Sequence, residues 1–340
     1  MKKELVLVTG GTGFIAVHII LQLLNQGYRV RTTLRTMSRQ KEVKAMLTQG
    51  GAKNLEDLEF VQADLTSDDH WLEAASGATY VIHVASPTPA TRPDDGAAMV
   101  KMAVDGVTRV MTAAKKAGVK RVVLTSASGA VIAGHKKHPQ LFTEKDWTNL
   151  SGNIDAYQRS KTMAELTAWY YAKKEGGGLA TVNPVAVMGP ILGKDFSHSN
   201  TSVKEMLSGK MPLLLKMSFD YVDVRDVAQL HLLAMTNPKA KGQRFIATSG
   251  ENLSFKEVAL ILKQNLGKKA AKVSTREVPS LIVKVLALFV KAWRMPATFI
   301  GQNTACGNGQ AKKILGWQPR SAEVSILATA ESMIELGIVE

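Results

Sequence analysis

Short apolar runs alternate along the chain with longer segments whose apolar residues recur at helical spacing. The runs occupy residues 5–8, 29–34, 58–61, 80–84, 121–125 and 179–182; the longer segments occupy 14–25, 38–49, 69–75, 97–117 and 156–174. Near-continuous apolar strands joined by crossover helices predict a parallel sheet covered on both faces. The fold class that follows is α/β, a doubly wound Rossmann-type sheet. After Pro184 the rhythm breaks. Residues 188–220 are rich in Gly, Ser and Pro, and helices are predicted near 224–235, 255–266 and 322–336. The chain thus divides into a sheet domain, residues 1–185, and a smaller lobe, residues 186–340, with some segments returning to the sheet. No linker-like stretch or repeat separates them, so one folding unit is expected.

Composition narrows the classes. One cysteine in 340 residues, Cys306, excludes an intrachain disulfide framework and fits a reducing, cytoplasmic setting. It reads as a small residue in a loop. The net charge of +14 favours anionic ligands, phosphorylated cofactors among them. The lysine pairs at 115/116, 136/137, 173/174 and 268/269 are scattered, so no nucleic-acid partner is expected. The apolar run before Thr9 is too short for a signal peptide. The run 279–293 carries Lys284 and Lys291 and falls short of the ~20 residues a spanning helix needs. An amphipathic helix packed on the protein is expected there, and no membrane partner.

Residues 8–16 read Val-Thr-Gly-Gly-Thr-Gly-Phe-Ile-Ala between the first strand and first helix. Gly10, Gly11 and Gly13 permit a tight turn and close approach of backbone N–H groups to a pyrophosphate. The helix N-terminus adds the positive end of its dipole. Residues 1–185 are therefore read as dinucleotide-binding and 186–340 as mainly substrate-binding. The end of the second strand carries no acid to accept from a ribose 2′-hydroxyl. It offers Arg35 and Arg39 instead, suited to a 2′-phosphate, which points to NADP(H). The alternative is that these arginines coat an exposed loop. Asp64 either meets an adenine or caps a helix starting near Ser67.

Tyr157 and Lys161 lie four apart in a predicted helix, on one face. A neighbouring cation lowers a phenol's pKa, and a Tyr able to give a proton to a carbonyl oxygen is what hydride addition needs. His18 and His83 read as structural, neither approaching the Tyr157 face.

With these motifs the chain resembles the extended short-chain dehydrogenase/reductase family. The carriers are Thr-Gly-Gly-Thr-Gly-Phe-Ile-Ala (9–16), Ala-Asp-Leu (63–65), His-Val-Ala-Ser-Pro (83–87), Leu-Thr-Ser (124–126), Tyr157 with Lys161, and Pro184 with Gly189-Pro190. Within it the chain is most similar to the dihydroflavonol 4-reductase, cinnamoyl-CoA reductase and methylglyoxal (carbonyl) reductase group, over roughly residues 4–250. The resemblance implies that Gly10, Gly13, Phe14 and Ile15 meet the pyrophosphate, and that Arg35 and Arg39 meet the 2′-phosphate. It places Asp64 and Leu65 at the adenine, Val84, Ala85 and Ser86 at the ribose, and Lys161 also at the nicotinamide ribose. Pro184 and Val187 would line the nicotinamide, with Ser199 a weaker contact.

One departure matters. The group usually reads Thr-Ser-Ser where this chain reads Thr125-Ser126-Ala127-Ser128, so the hydroxyl that holds the substrate carbonyl falls to Ser126 or Ser128, or to neither. The reading is an NADPH-dependent oxidoreductase reducing an aldehyde or ketone to an alcohol. Its pocket would be lined by Ser86-Pro87-Thr88, Val131 and residues 217–221. A nucleotide-sugar epimerase or dehydratase with bound NAD, and a non-catalytic NADP-binding regulator, are the alternatives. The expected partner is the small-molecule substrate alone, in a monomer or a homodimer paired through the helices at 97–117 and 156–174.

Overall fold

The computed structural model describes residues 3–87, 96–135, 141–194, 196–290, 293 and 300–339. Thr88, Lys136, Lys137, Lys291 and Ala292 lie outside the described residues.

Seven strands form one parallel sheet: β1 (Leu5–Val8), β2 (Arg29–Leu34), β3 (Leu58–Gln62), β4 (Tyr80–His83), β5 (Arg121–Thr125), β6 (Leu179–Pro184) and β9 (Arg244–Ala247). Their spatial order is β3-β2-β1-β4-β5-β6-β9. The pleat sends alternate residues to opposite faces. Val6, Val8, Ile82 and Val123 face one core, with α1 (Phe14–Asn25), α2 (Gln40–Gln49) and α7 (Val224–Thr236). Leu7, Val81, Val122 and Leu124 face another, with α3 (Trp71–Ala75), α4 (Gly96–Lys116) and α5 (Ala156–Glu175). The doubly wound architecture is as expected.

The predicted helix from about Ser67 begins instead at Trp71. His70, in the left-handed region at φ 63°, ends the preceding turn and sets the start. The seventh strand is supplied from beyond residue 185 by β9, which pairs with β6 in parallel register. A second sheet, β7 (Ala186–Met188), β8 (Ser218–Asp223) and β10 (Asn252–Ser254), has the order β10-β8-β7. Residues 217–221, expected as a pocket loop, run into β8, and Tyr221 is buried there, as is Val131. Neither lines the pocket that holds Lys161.

Helices α6 (His198–Leu207), α8 (Phe255–Leu266), α10 (Gly309–Leu315) and α11 (Ala322–Glu335) share the first core with the sheet. Helix α11 holds the turn after β7: Gly189 N–H donates to Thr329 Oγ1 (2.7 Å) and Ile191 N–H to Ser332 Oγ (2.9 Å). Helix α9 (Ser280–Phe289) departs from expectation. Apart from Ser280 and Lys284 it is apolar, so packing Val283 inward leaves Leu281, Ile282, Val285, Leu288 and Phe289 exposed. Among the described residues no helix is long and apolar enough to cross a membrane.

Phe245 in β9 is fully buried where the returning strand meets the sheet. Replacing it with alanine is expected to cost about 3–5 kcal/mol, read as a lower urea midpoint.

Candidate functional site

The carboxyl ends of the parallel strands meet at one edge, and the glycine loop begins there. Gly10 adopts φ +75°, and a Cβ on it would lie 3.0 Å from that of Ala85, so the turn needs glycine for both conformation and space. Gly11 is required for a separate reason. A Cβ there would meet Thr32 Oγ1 at 2.4 Å. Gly13 is the N-cap of α1, which has neither a side-chain cap nor an acidic residue in its first turn. Its leading N–H groups, those of Phe14 and Ile15 included, lack the intrahelical acceptors an anion supplies. This cradle fits a dinucleotide pyrophosphate.

Thr9 locks the loop to β4. Its hydroxyl oxygen accepts from the N–H groups of Val84 and Ala85, both at 3.0 Å. With both lone pairs used, it donates to His83 Nδ1 at 2.8 Å, which places the ring proton on Nε2. Burial, and next the charge of Lys161, hold His83 down to about 3. His83 also lines the same pocket as Lys161, Ser86, Pro87, Ser126 and Glu165. This corrects its placement away from the catalytic face: parallel register puts the ends of β4 and β5 side by side. His18 is structural as expected, donating from Nε2 to Pro190 O at 3.0 Å, with burial lowering it to about 4.

Arg35 is exposed at the end of β2, and its charge acts on Asp64. Arg39 is held in a two-pronged pair with Glu42, both bonds 2.8 Å. Asp64 accepts from the N–H and the hydroxyl of Thr66, and that backbone bond is the main reason its carboxyl lies below the usual range. It therefore closes a turn rather than capping α3, and precedes Leu65, which lines the pocket.

Helix α5 begins at a reciprocal cap. Gln158 N–H donates to Asp155 Oδ1 (2.7 Å), and Asp155 N–H donates to Gln158 Oε1 (3.1 Å). The cap fixes Tyr157 in the first turn with Lys161 one turn later. Tyr157 is 40 % exposed, and a Cβ built on Gly129 would lie 3.7 Å from its ring. Desolvation first, and Asp155 second, push its phenol up, to about 12, rather than down as the lysine alone would. Lys161 moves the opposite way. Burial lowers it to about 8, partly offset by Glu165.

The two candidate serines differ. Ser126 is buried and donates to Glu165 Oε2 at 2.6 Å. Ser128 opens the 3₁₀ turn Ser128–Ala130, is half-buried, and its hydroxyl forms no hydrogen bond among the described residues. Pro184 and Val187 are buried where β6 passes into β7. Ser199 is half-buried in the first turn of α6, whose N-cap Ser197 donates to Val187 O at 3.3 Å. Cys306 is buried and its thiol pushed up by that burial, which removes it as a nucleophile. Among the described residues no cluster of three or more His, Cys, Asp or Glu could hold a metal ion.

Three groups received no role from the sequence. Glu165 lies one turn beyond Lys161 and Thr9 precedes the glycines, so spacing alone offered a signal for both. His231, which accepts from Thr125 Oγ1 at 2.8 Å while donating to Val227 O, pairs over too long a separation to have been found.

Known proteins share the chain's sequence pattern and its fold. Residues 6–247 match the model of the NAD dependent epimerase/dehydratase family. The chain is similar to cinnamoyl-CoA reductase 1 of Arabidopsis thaliana, 36 % identical over 251 residues, 73 % of this chain and 71 % of the relative. It is also similar to an anthocyanidin reductase of Vitis vinifera, 34 % identical over 278 residues, 77 % and 81 % of the two chains. Among solved structures, the yeast methylglyoxal/isovaleraldehyde reductase Gre2 complexed with NADPH superposes with a TM-score of 0.80. Identity there is 25 %, with 98 % of this chain and 99 % of that one covered.

The three buried histidines make a stability prediction. His18 and His231 are held near 4 and His83 near 3, all below the unfolded value of ~6.5. Stability is therefore complete above pH 6.5 and falls as the pH drops toward 4, with a slope approaching about 1.4 kcal/mol per pH unit for each. Urea unfolding followed at pH 7 and pH 5 should show the loss; equal midpoints would contradict neutral burial.

Proposed function

The chain belongs to the NAD dependent epimerase/dehydratase family, and we propose that within it this protein reduces the carbonyl of an aldehyde or ketone to an alcohol with NADPH. The coarser statement stands on the relatives: it is an NADP-dependent oxidoreductase of the extended short-chain reductase type. The observation that carries the finer reading is the pair on α5. Tyr157, held up to about 12, is a protonated phenol at neutral pH, and Lys161, held near 8, is a cation one turn away.

NADPH would be held at the α1 N-terminus by Gly10, Gly13, Phe14 and Ile15. Arg35 would meet its 2′-phosphate, and Arg39 would do so once Glu42 releases it. Asp64 and Leu65 would take the adenine, Val84, Ala85 and Ser86 the ribose. Lys161 would take the nicotinamide ribose, with Pro184, Val187 and Ser199 around the ring. When bound, this cofactor supplies the hydride that reaches the carbonyl carbon. The protein supplies the proton. Tyr157 donates from its hydroxyl to the carbonyl oxygen, and the Lys161 ammonium stabilises the phenolate left behind. Ser128 is the hydroxyl free to orient that oxygen, since Ser126 is committed to Glu165. The pocket's apolar wall, which would exclude water, comes from Leu65, from Ala103 and Val107 on α4, and from Leu124 on β5.

The family name also covers epimerases, which would recycle a bound NAD. The acid-free end of β2 favours the reductase reading.

Purified protein offered a panel of aldehydes and ketones should oxidise NADPH stoichiometrically and faster than NADH. Indifference to every carbonyl would sink the reading, and faster use of NADH would remove the role given to Arg35. Tyr157→Phe should lower kcat by ~10²–10⁴. Ser128→Ala should cost on the order of a hundredfold in kcat; an unchanged kcat would show that no hydroxyl from Ser128 is needed. Turnover should decline as pH rises through the Lys161 value, near 8.

A further inference from the structure

Behind Lys161, the carboxylate of Glu165 is fully buried and takes every hydrogen bond a carboxylate can. Its Oε1 accepts from Arg244 Nε (2.7 Å), Thr181 Oγ1 (3.0 Å) and Trp169 Nε1 (3.2 Å). Its Oε2 accepts from Ser126 Oγ (2.6 Å) and Asn183 Nδ2 (2.7 Å). Asn183 donates as well to Ala127 O at 3.3 Å, at the position where this chain lacks the usual serine. One carboxylate thus ties the helix carrying Tyr157 and Lys161 to β5, β6 and β9.

Arg244 completes the unit. Its guanidinium donates to Glu144 O and Asp146 O, both at 2.8 Å, and lies 3.7 Å from the centre of the Trp147 ring. The segment it grips also supports the turn after β5. Thr148 Oγ1 donates to Gly129 O (2.7 Å) and accepts from Ala133 N–H.

We propose that Glu165 is the positioning residue of this site: it keeps the Lys161 ammonium charged against the edge of β5 and, through Ser126 and Asn183, fixes the edge on which the carbonyl is held. The proposal rests on the reductase reading for its use, and on geometry for its content. Other groups also bear on Lys161. His83 faces it from β4 as a neutral ring, Tyr157 lies one turn back, and Arg244 stands behind Glu165 on β9. The edges of β5 and β6 offer the neutral Thr125, Ser126, Thr181 and Asn183. On α4, Lys101 pairs with Asp105 and Arg109 with Asp68, while Lys115 and Lys116 lie in its last turn, Lys115 donating to Glu175 O. Glu165 is thus the anion set to sustain the cation.

Charge arithmetic gives opposite signs for two variants. Glu165→Gln removes the anion and leaves the Arg244 cation unbalanced, so Lys161 should lose its proton at lower pH. Arg244→Gln leaves the anion unbalanced, so Lys161 should hold its proton to higher pH.

The test measures Lys161 directly in the full chain. Lysines are ¹³C-dimethylated, the Lys161 signal is assigned by its loss in Lys161→Arg, and its shift is followed against pH. The midpoint should fall by about half a unit or more in Glu165→Gln and rise in Arg244→Gln, with the alkaline limb of NADPH turnover moving in the same sense. A midpoint unmoved in a variant whose near-ultraviolet circular dichroism matches the parent would overturn the proposal, as would two shifts of the same sign. Either folded variant decides it if the other fails to fold. A merely structural role would lower stability or kcat without moving the midpoint. Should the parent reduce no carbonyl, the reductase reading falls while the titration still decides what Glu165 does.

Discussion

Taking a carboxylate and a guanidinium out of water is costly unless both are fully paired, and that demand shapes the centre of this molecule. Glu165 and Arg244 meet beside the end of β5, where β9 begins opposite Thr181 of β6. Satisfying them uses Ser126, Thr181, Asn183, Trp169 and two backbone carbonyls. Each of those groups is thereby fixed in place. Much of the order at the catalytic edge follows from solvating one ion pair with protein.

The neighbouring strand ends solve the same problem without charge. Thr9 beside His83 and Thr125 beside His231 are buried hydroxyl–imidazole pairs, and each ring is held neutral by desolvation. Neutral rings leave Lys161 as the one cation lining the pocket among the described residues. For the proposed reductase, a site that both protonates an oxygen and accepts an anionic cofactor would profit from such economy, because each extra buried charge would shift the phenol and the amine again.

How much was legible depended on range. The strands at 5–8 and 121–125 were readable as they stand, since each is buried on both faces, and 29–34 was readable despite Arg29 and Arg31, which stay half-buried on one face. Strand β9 was not. It has four residues and opens with Arg244, a side chain that pattern reading assigns to a surface and that is buried only because Glu165 waits for it. Tyr157 with Lys161 was legible because one helical turn relates them. The commitment of Ser126 was hidden, since its partner stands 39 residues away and nothing local announces it. Arg39 and Glu42, by contrast, are three apart, and their pairing was open to anyone counting along α2. The apolar character of the segment at 279–293 was plain, yet hydrophobicity broken only by Ser280 and Lys284 does not say which face of the helix remains uncovered.

The return of β9 has a consequence for how the chain is made. As the polypeptide leaves the ribosome, the first six strands emerge well before residue 244, and during that interval β6 is an unprotected edge. A bare parallel edge with an unneutralised carboxylate beside it invites wrong pairing and slow, non-local closure. The nascent protein should therefore pass through a vulnerable window that closes only when Arg244 arrives, so the same ion pair that orders the mature edge also times its completion.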